Sequence, residues 1–168
     1  MTKQNLQDEL KSSMMARDEL RTSVIRLLLS ALNYYEIQKG TELWQKASSP
    51  ASETQTDVGS HYEATEDDIL KVIQQQVKQR RDSIEQFKAA GRHELADKEQ
   101  KELEILQKFL PEQMSEDEVK NIVQQTISEL NASSIQDMGK IMGALNSKLK
   151  GKADMGMVSA VVKGKLSS

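Results

Sequence analysis

The chain has no cysteine, two prolines (Pro50 and Pro111) and few aromatic residues, 4% of its length. Without thiols it can build no disulfide framework, thiol nucleophile or thiolate metal site. Few aromatics leave few platforms on which bases stack. Tyr34, Tyr35 and Trp44 lie on or just after an apolar helical stretch, where core packing is the commoner use of such rings. Long apolar runs are missing as well. The most apolar stretch, Val24 to Leu32, is interrupted by Arg26 and Ser30 and is far shorter than a bilayer span. Met1-Thr2-Lys3-Gln4-Asn5 contains no apolar signal core, so the expectation is a cytoplasmic chain with no membrane partner. No nucleophile elbow, Walker loop or glycine-rich strand-to-helix turn is present. His93 with Asp97 would share a helix face, but the second histidine of a zinc motif is missing and His61 is the only other one. Neither a metal, a cofactor nor a catalytic residue is predicted.

What remains is rich in Glu, Gln, Lys, Leu and Ala, and its apolar residues fall at helical spacing almost throughout its 168 residues. The fold class expected is all-α, a long N-terminal helical hairpin region followed by a small C-terminal three-helix unit. Leu6, Leu10, Met14, Leu20, Val24, Leu27, Leu28, Leu32 and Tyr35 predict two helices, or one bent near Arg17, over residues 3–39, with Gly40 as a stop. A polar stretch at about 46–63 predicts a mobile loop. Thr65 with Asp68 approximates a capping box before a helix over 66–90, closed by Gly91. Leu95, Leu103, Leu106 and Phe109 form the stripe of the next helix, which Pro111 ends. Ser115 and Glu118 make a fuller capping box, so the predicted domains are 1–111 and 112–168. In the second, helices are expected to about Leu130, over about 137–148, and after Asp154 as N-cap, with a break at Gly151.

Charge is distributed unevenly. From residue 134 onward six lysines face two acids, whereas the whole chain carries −3, so an acidic body bears a cationic end. That asymmetry suggests a polyanionic partner. Within Met138–Asp154, Gly139 and Gly143 lie four apart on one helix face. Each costs roughly 1 kcal/mol relative to alanine, which close approach of a helix or an RNA backbone would offset. Lys148, Lys150 and Lys152 flank Gly151 where one helix ends, and the next helix start offers amides to an anion. Helix-terminal lysines beside a tight turn are the plainer reading of the same residues. Arg80 and Arg81, beside Lys78 and Lys88, are weaker candidates for phosphate, because Asp82 and Glu85 stand next to them.

MGKIMGALNSKLKGKAD (138–154) and KELEILQKFLPEQMSEDEV (101–119) resemble the signatures of the GatB/YqeY family, and the likeness extends from Leu20-Arg21 to the C-terminus. The resemblance implies an all-helical protein whose C-terminal unit is similar to the tail of the B subunit of tRNA-dependent amidotransferases, which holds tRNA. The matching positions are Gly139, Lys140, Gly143, Lys148, Lys150, Gly151, Lys152 and Asp154; Ser147, Met155 and Ser159 depart from the pattern. The expected function is therefore that of a tRNA-binding accessory protein linked to tRNA-dependent amidation or aminoacyl-tRNA metabolism, non-catalytic by itself. An alternative is a helical module that docks a synthetase or amidotransferase subunit through the glycine face and Met138, Met142 and Met157. A carbon-nitrogen ligase with glutamine as amido donor is a third reading, by family name alone, since the glutaminase and transferase parts have no counterpart here.

Overall fold

A computed structural model of the chain describes residues 1–47, 62–132 and 134–166. The order of elements is α1 (Lys3–Met15), α2 (Glu19–Ala47), α3 (Glu66–Ala89), α4 (His93–Gln107), α5 (Glu116–Glu129), a 3₁₀ turn (Ile135–Asp137), α6 (Met138–Leu149) and α7 (Met155–Leu166). The fold is all-α, and no strand occurs among the described residues. The chain divides into two compact units, Met1–Phe109 and Leu110–Ser168. The loop expected at about 46–63 falls mostly outside the described residues. No helix among the described residues is long and apolar enough to cross a membrane.

In the first unit Leu6 of α1 and Val24, Ile25, Leu28 and Leu32 of α2 are buried, as are Ile69, Val72, Ile73, Val77 and Ile84 of α3 and Ala96, Leu103 and Leu106 of α4. Arg17 breaks the chain between α1 and α2 at φ 56°, and Gly91 turns α3 into α4 at φ 69°. Asp68 both caps α3 through Thr65 and accepts hydroxyl hydrogen bonds from Tyr35 and Tyr62. Gly40 does not stop α2. It is buried inside a 29-residue helix, where roughly 1 kcal/mol of lost propensity is small against the packing of a face. Leu95 is 42% exposed and Ala96 takes its expected place in the core. Tyr34 and Trp44, read from sequence as core rings, are 63% and 59% exposed.

In the second unit Val119, Val123, Ile141, Leu145, Leu149, Ala153, Val158 and Val162 form one buried cluster contributed by α5, α6, the turn after it and α7. Ser115 and Glu118 close the expected capping box, and their hydrogen bonds hold the Glu118 carboxyl below its ordinary pKa.

Candidate nucleic-acid interface

The cationic segment is built around a turn. Lys150 leaves the helix at φ −54° and ψ 121°, Gly151 follows at φ 74°, and the Lys152 amide donates to the Leu149 carbonyl at 2.9 Å. This is the pattern of a type II turn, whose third residue needs the left-handed region and therefore glycine. Gly151 and Ala153 are buried while Lys150 and Lys152 are exposed, so the turn anchors itself through small residues and presents its lysines. The Gln113 side-chain amide donates to the Gly151 carbonyl at 2.7 Å, and the Met114 amide donates to the Lys152 carbonyl at 2.8 Å. No sequence signal marks Gln113 as an anchor, because its partner lies 38 residues away. Gly151→Ala is expected to lower stability by about 1–2 kcal/mol, because a Cβ is strained at this φ. Thermal unfolding beside Gly139→Ala, which has open space for a methyl, checks it.

Beyond Gly151, the matched positions separate into distinct roles. Gly139, Lys140, Gly143 and Ser147 lie on the exposed face of α6. A Cβ at Gly139 or Gly143 would meet nothing within 4 Å, so neither glycine serves close contact with another helix among the described residues. Nothing there offsets their cost. Lys148 turns toward α5, where its ammonium sits 2.7 Å from Glu129 and 3.3 Å from the Thr126 hydroxyl. It is a clip between helices, although both partners remain well exposed and such a pair contributes little. Asp154 caps α7 by accepting from the Gly156 and Met157 amides at 2.7 and 3.1 Å. Two amides at the start of α7 are thus already taken by a carboxylate. The sequence-based view of it as a free anion site is corrected.

The remaining candidates are also placed. The Arg80 guanidinium lies 2.8 Å from Glu99 and 2.5 Å from Glu102, with only 11% of its side chain exposed. It joins α3 to α4 and is not presented as a surface cation. Arg81 is exposed. Met138, Met142 and Met157 pack partly buried against the second core, which removes the apolar anchors from the glycine face. Of the departures, Ser147 donates its hydroxyl to the Gly143 carbonyl at 3.4 Å without disturbing α6. Met155 opens α7 and packs on the core; at the following position, Gly156, a Cβ would come within 2.9 Å of the Asp154 carboxylate. The glycine that a tight cap needs stands one residue later.

A comparison with protein families matches residues 48–166, from the segment before α3 to the end of α7, to the Yqey-like proteins. The chain belongs to the YqeY-like family. That match takes in the lysine turn and the glycine face but not α1 and α2. Over 98% of its length this YqeY-like chain is 27% identical to the Clavispora lusitaniae protein named Altered inheritance of mitochondria protein 41, mitochondrial, covering 84% of it. It is 30% identical to an uncharacterized Schizosaccharomyces pombe protein across 66% of its own length and 72% of the relative's. The protein of the first name from Pyrenophora tritici-repentis shares 33% identity over 53% of this YqeY-like chain and 50% of its own.

Proposed function

We propose that this chain is a tRNA-binding accessory protein, linked to tRNA-dependent amidation or aminoacyl-tRNA metabolism and without catalysis of its own. The observation that carries the reading is the bare face of α6. Gly139 and Gly143 are open to solvent there, with Lys140 beside them and the Lys150–Gly151–Lys152 turn at the far end. Lys140 and Lys150 are ten residues apart, roughly 15 Å along a helix axis. A phosphate backbone is the partner that uses both features, since it approaches bare helix closely and meets an ammonium at each end. Asp154 supports the turn by capping α7, and Lys148 points toward Glu129 of α5. A synthetase or amidotransferase subunit is the protein partner such a module would serve. The Clavispora lusitaniae and Pyrenophora tritici-repentis relatives are named as mitochondrial, and the proposed role applies to tRNA in that compartment or in the cytoplasm.

A tRNA electrophoretic shift across a salt series tests the proposal. Three lysine-phosphate contacts give a log-log slope of about −2 to −3. Joint replacement of Lys140, Lys150 and Lys152 by alanine is expected to weaken binding by about tenfold or more and to flatten the slope. Gly143→Ala separates fold from function, because it should raise helix stability by up to about 1 kcal/mol while weakening tRNA binding. Salt-independent binding, or equal binding by the triple variant, would sink the reading.

A further inference from the structure

The outer face of α2 carries a second pattern that the cationic site leaves unused. Leu27, Ser30, Tyr34, Ile37, Thr41 and Trp44 follow one another at alternating steps of three and four, the spacing of a coiled-coil seam. Leu27, Tyr34, Ile37 and Trp44 are 52%, 63%, 68% and 59% exposed. They lie opposite Val24, Ile25, Leu28 and Leu32, which pack into the first unit. α2 therefore has two apolar faces, of which one is packed among the described residues. The seam spans 17 residue steps, roughly 25 Å of helix.

The order of residues in the seam says what fits it. Read from either end, it runs large apolar, small hydroxyl, large apolar, large apolar, small hydroxyl, large apolar. Reversal about the midpoint between Tyr35 and Glu36 exchanges Leu27 with Trp44, Ser30 with Thr41, and Tyr34 with Ile37. A surface that matches its own reversal is what an antiparallel two-fold contact between identical helices requires. The flanking positions agree. Asn33, Gln38 and Gln45 border the seam and Arg26 is the one charge beside it, whereas Glu36, Lys39, Glu42 and Lys46 lie elsewhere on the helix. No like charges would be forced together.

We infer that this face pairs with a second copy of the chain as an antiparallel α2–α2 contact centred between residues 35 and 36. Each Leu27 packs against the partner's Trp44, and the two central layers pair Tyr34 with Ile37. Between them, Ser30 faces Thr41, whose hydroxyl donates to the Ile37 carbonyl at 2.8 Å and leaves its methyl for the contact. The area removed from water is on the order of 600 Å² per copy, close to the roughly 800 Å² per partner of a standard interface. Such an area suits a concentration-dependent dimer.

Sedimentation of the full chain over a concentration series is expected to rise from 18.9 kDa to twice that mass. Leu27→Glu and Ile37→Glu should each hold it at monomer mass without loss of helicity, because both positions are exposed in the single chain. Trp44 is the sole tryptophan, so its emission should shift to shorter wavelength as the dimer forms and fail to shift in either variant. Orientation is read by cross-linking on a background free of native cysteine. Ser30→Cys chains mixed with Thr41→Cys chains should form a disulfide-linked dimer. Either variant alone should not, since like positions then sit eleven residues apart along the pair, roughly 16 Å. Monomer mass at every concentration with unshifted Trp44 emission would overturn the inference and assign the stripe to a different macromolecule. Efficient cross-linking of Ser30→Cys with itself would overturn the antiparallel register.

Discussion

Arg80→Ala is expected to lower the unfolding free energy of the first unit by about 3–5 kcal/mol, the cost of removing one partner from a buried ion pair. The Arg80 guanidinium bridges Glu99 and Glu102, whose side chains are 24% and 9% exposed. Without it Glu102 is left as an uncompensated carboxylate in the packed seam between α3 and α4. Replacing Arg80, Glu99 and Glu102 together with apolar residues of similar volume should restore most of that loss, because desolvating the three charges offsets much of what they contribute. Arg80→Lys should fall between, since the charge is kept but the shorter stem brings the ammonium less close to the point where one guanidinium nitrogen meets both carboxylates. Urea unfolding of the full chain checks the order. A tRNA shift at a temperature where Arg80→Ala remains folded checks the role, and affinity equal to wild type is the expected result. A stable Arg80→Ala protein that had lost tRNA binding would return Arg80 to the interface.

This residue also illustrates what the sequence conceals. Beside Arg81, Lys78 and Lys88, Arg80 looks like part of a cationic helix face, because its partners lie 19 and 22 residues on, across the Gly91 turn. Features set by local rules were legible. The Thr65–Asp68 and Ser115–Glu118 caps, the left-handed Gly91 and the Asp154 cap each depend on residues within a few positions. Features set by tertiary contact were not. Lys148 reads as one more turn cation until α5 brings Glu129 to it, and Gln113 gives no sign of holding Gly151. The exposed rings of α2 were misread for a related reason. An apolar residue at helical spacing announces a buried face, but it does not say whether the cover comes from the same chain.

Asp68→Asn is the other substitution with a large expected effect, about 3 kcal/mol, and its signature is pH dependence. Asp68 is 5% exposed, and its carboxylate accepts from the hydroxyls of Tyr35, Tyr62 and Thr65 at 2.7, 2.5 and 2.6 Å, and from the Thr65 amide at 3.1 Å. Burial alone would raise its pKa, but the hydrogen bonds from Thr65, Tyr62 and Tyr35 outweigh burial and hold it well below the usual carboxylate range. The same hydrogen bond to Asp68, with burial behind it, pushes the Tyr35 phenol up to about 12, and Tyr62 also rises. The two shifts act at opposite ends of the pH scale. A depressed folded pKa means that the contribution of Asp68 is fully present above its unfolded value, roughly pH 4, and is lost as pH falls through the folded one. A raised phenol pKa means that the contribution of Tyr35 is complete below roughly pH 10 and is lost as pH rises toward 12. Wild-type stability should therefore be level with respect to this cluster near neutrality and fall on both sides. Asp68→Asn should be less stable at neutral pH and lose most of the acid slope, and a tyrosinate absorbance step should move to lower pH. Denaturant unfolding at several pH values, with tyrosinate absorbance followed in parallel, reads all three. Parallel stability profiles for the two proteins would show that the cluster does not titrate as a unit. Tyr35 lies on the inner side of α2 and Tyr34 on the outer side, so the cluster that clamps one ring into the first unit also fixes which ring is presented outward.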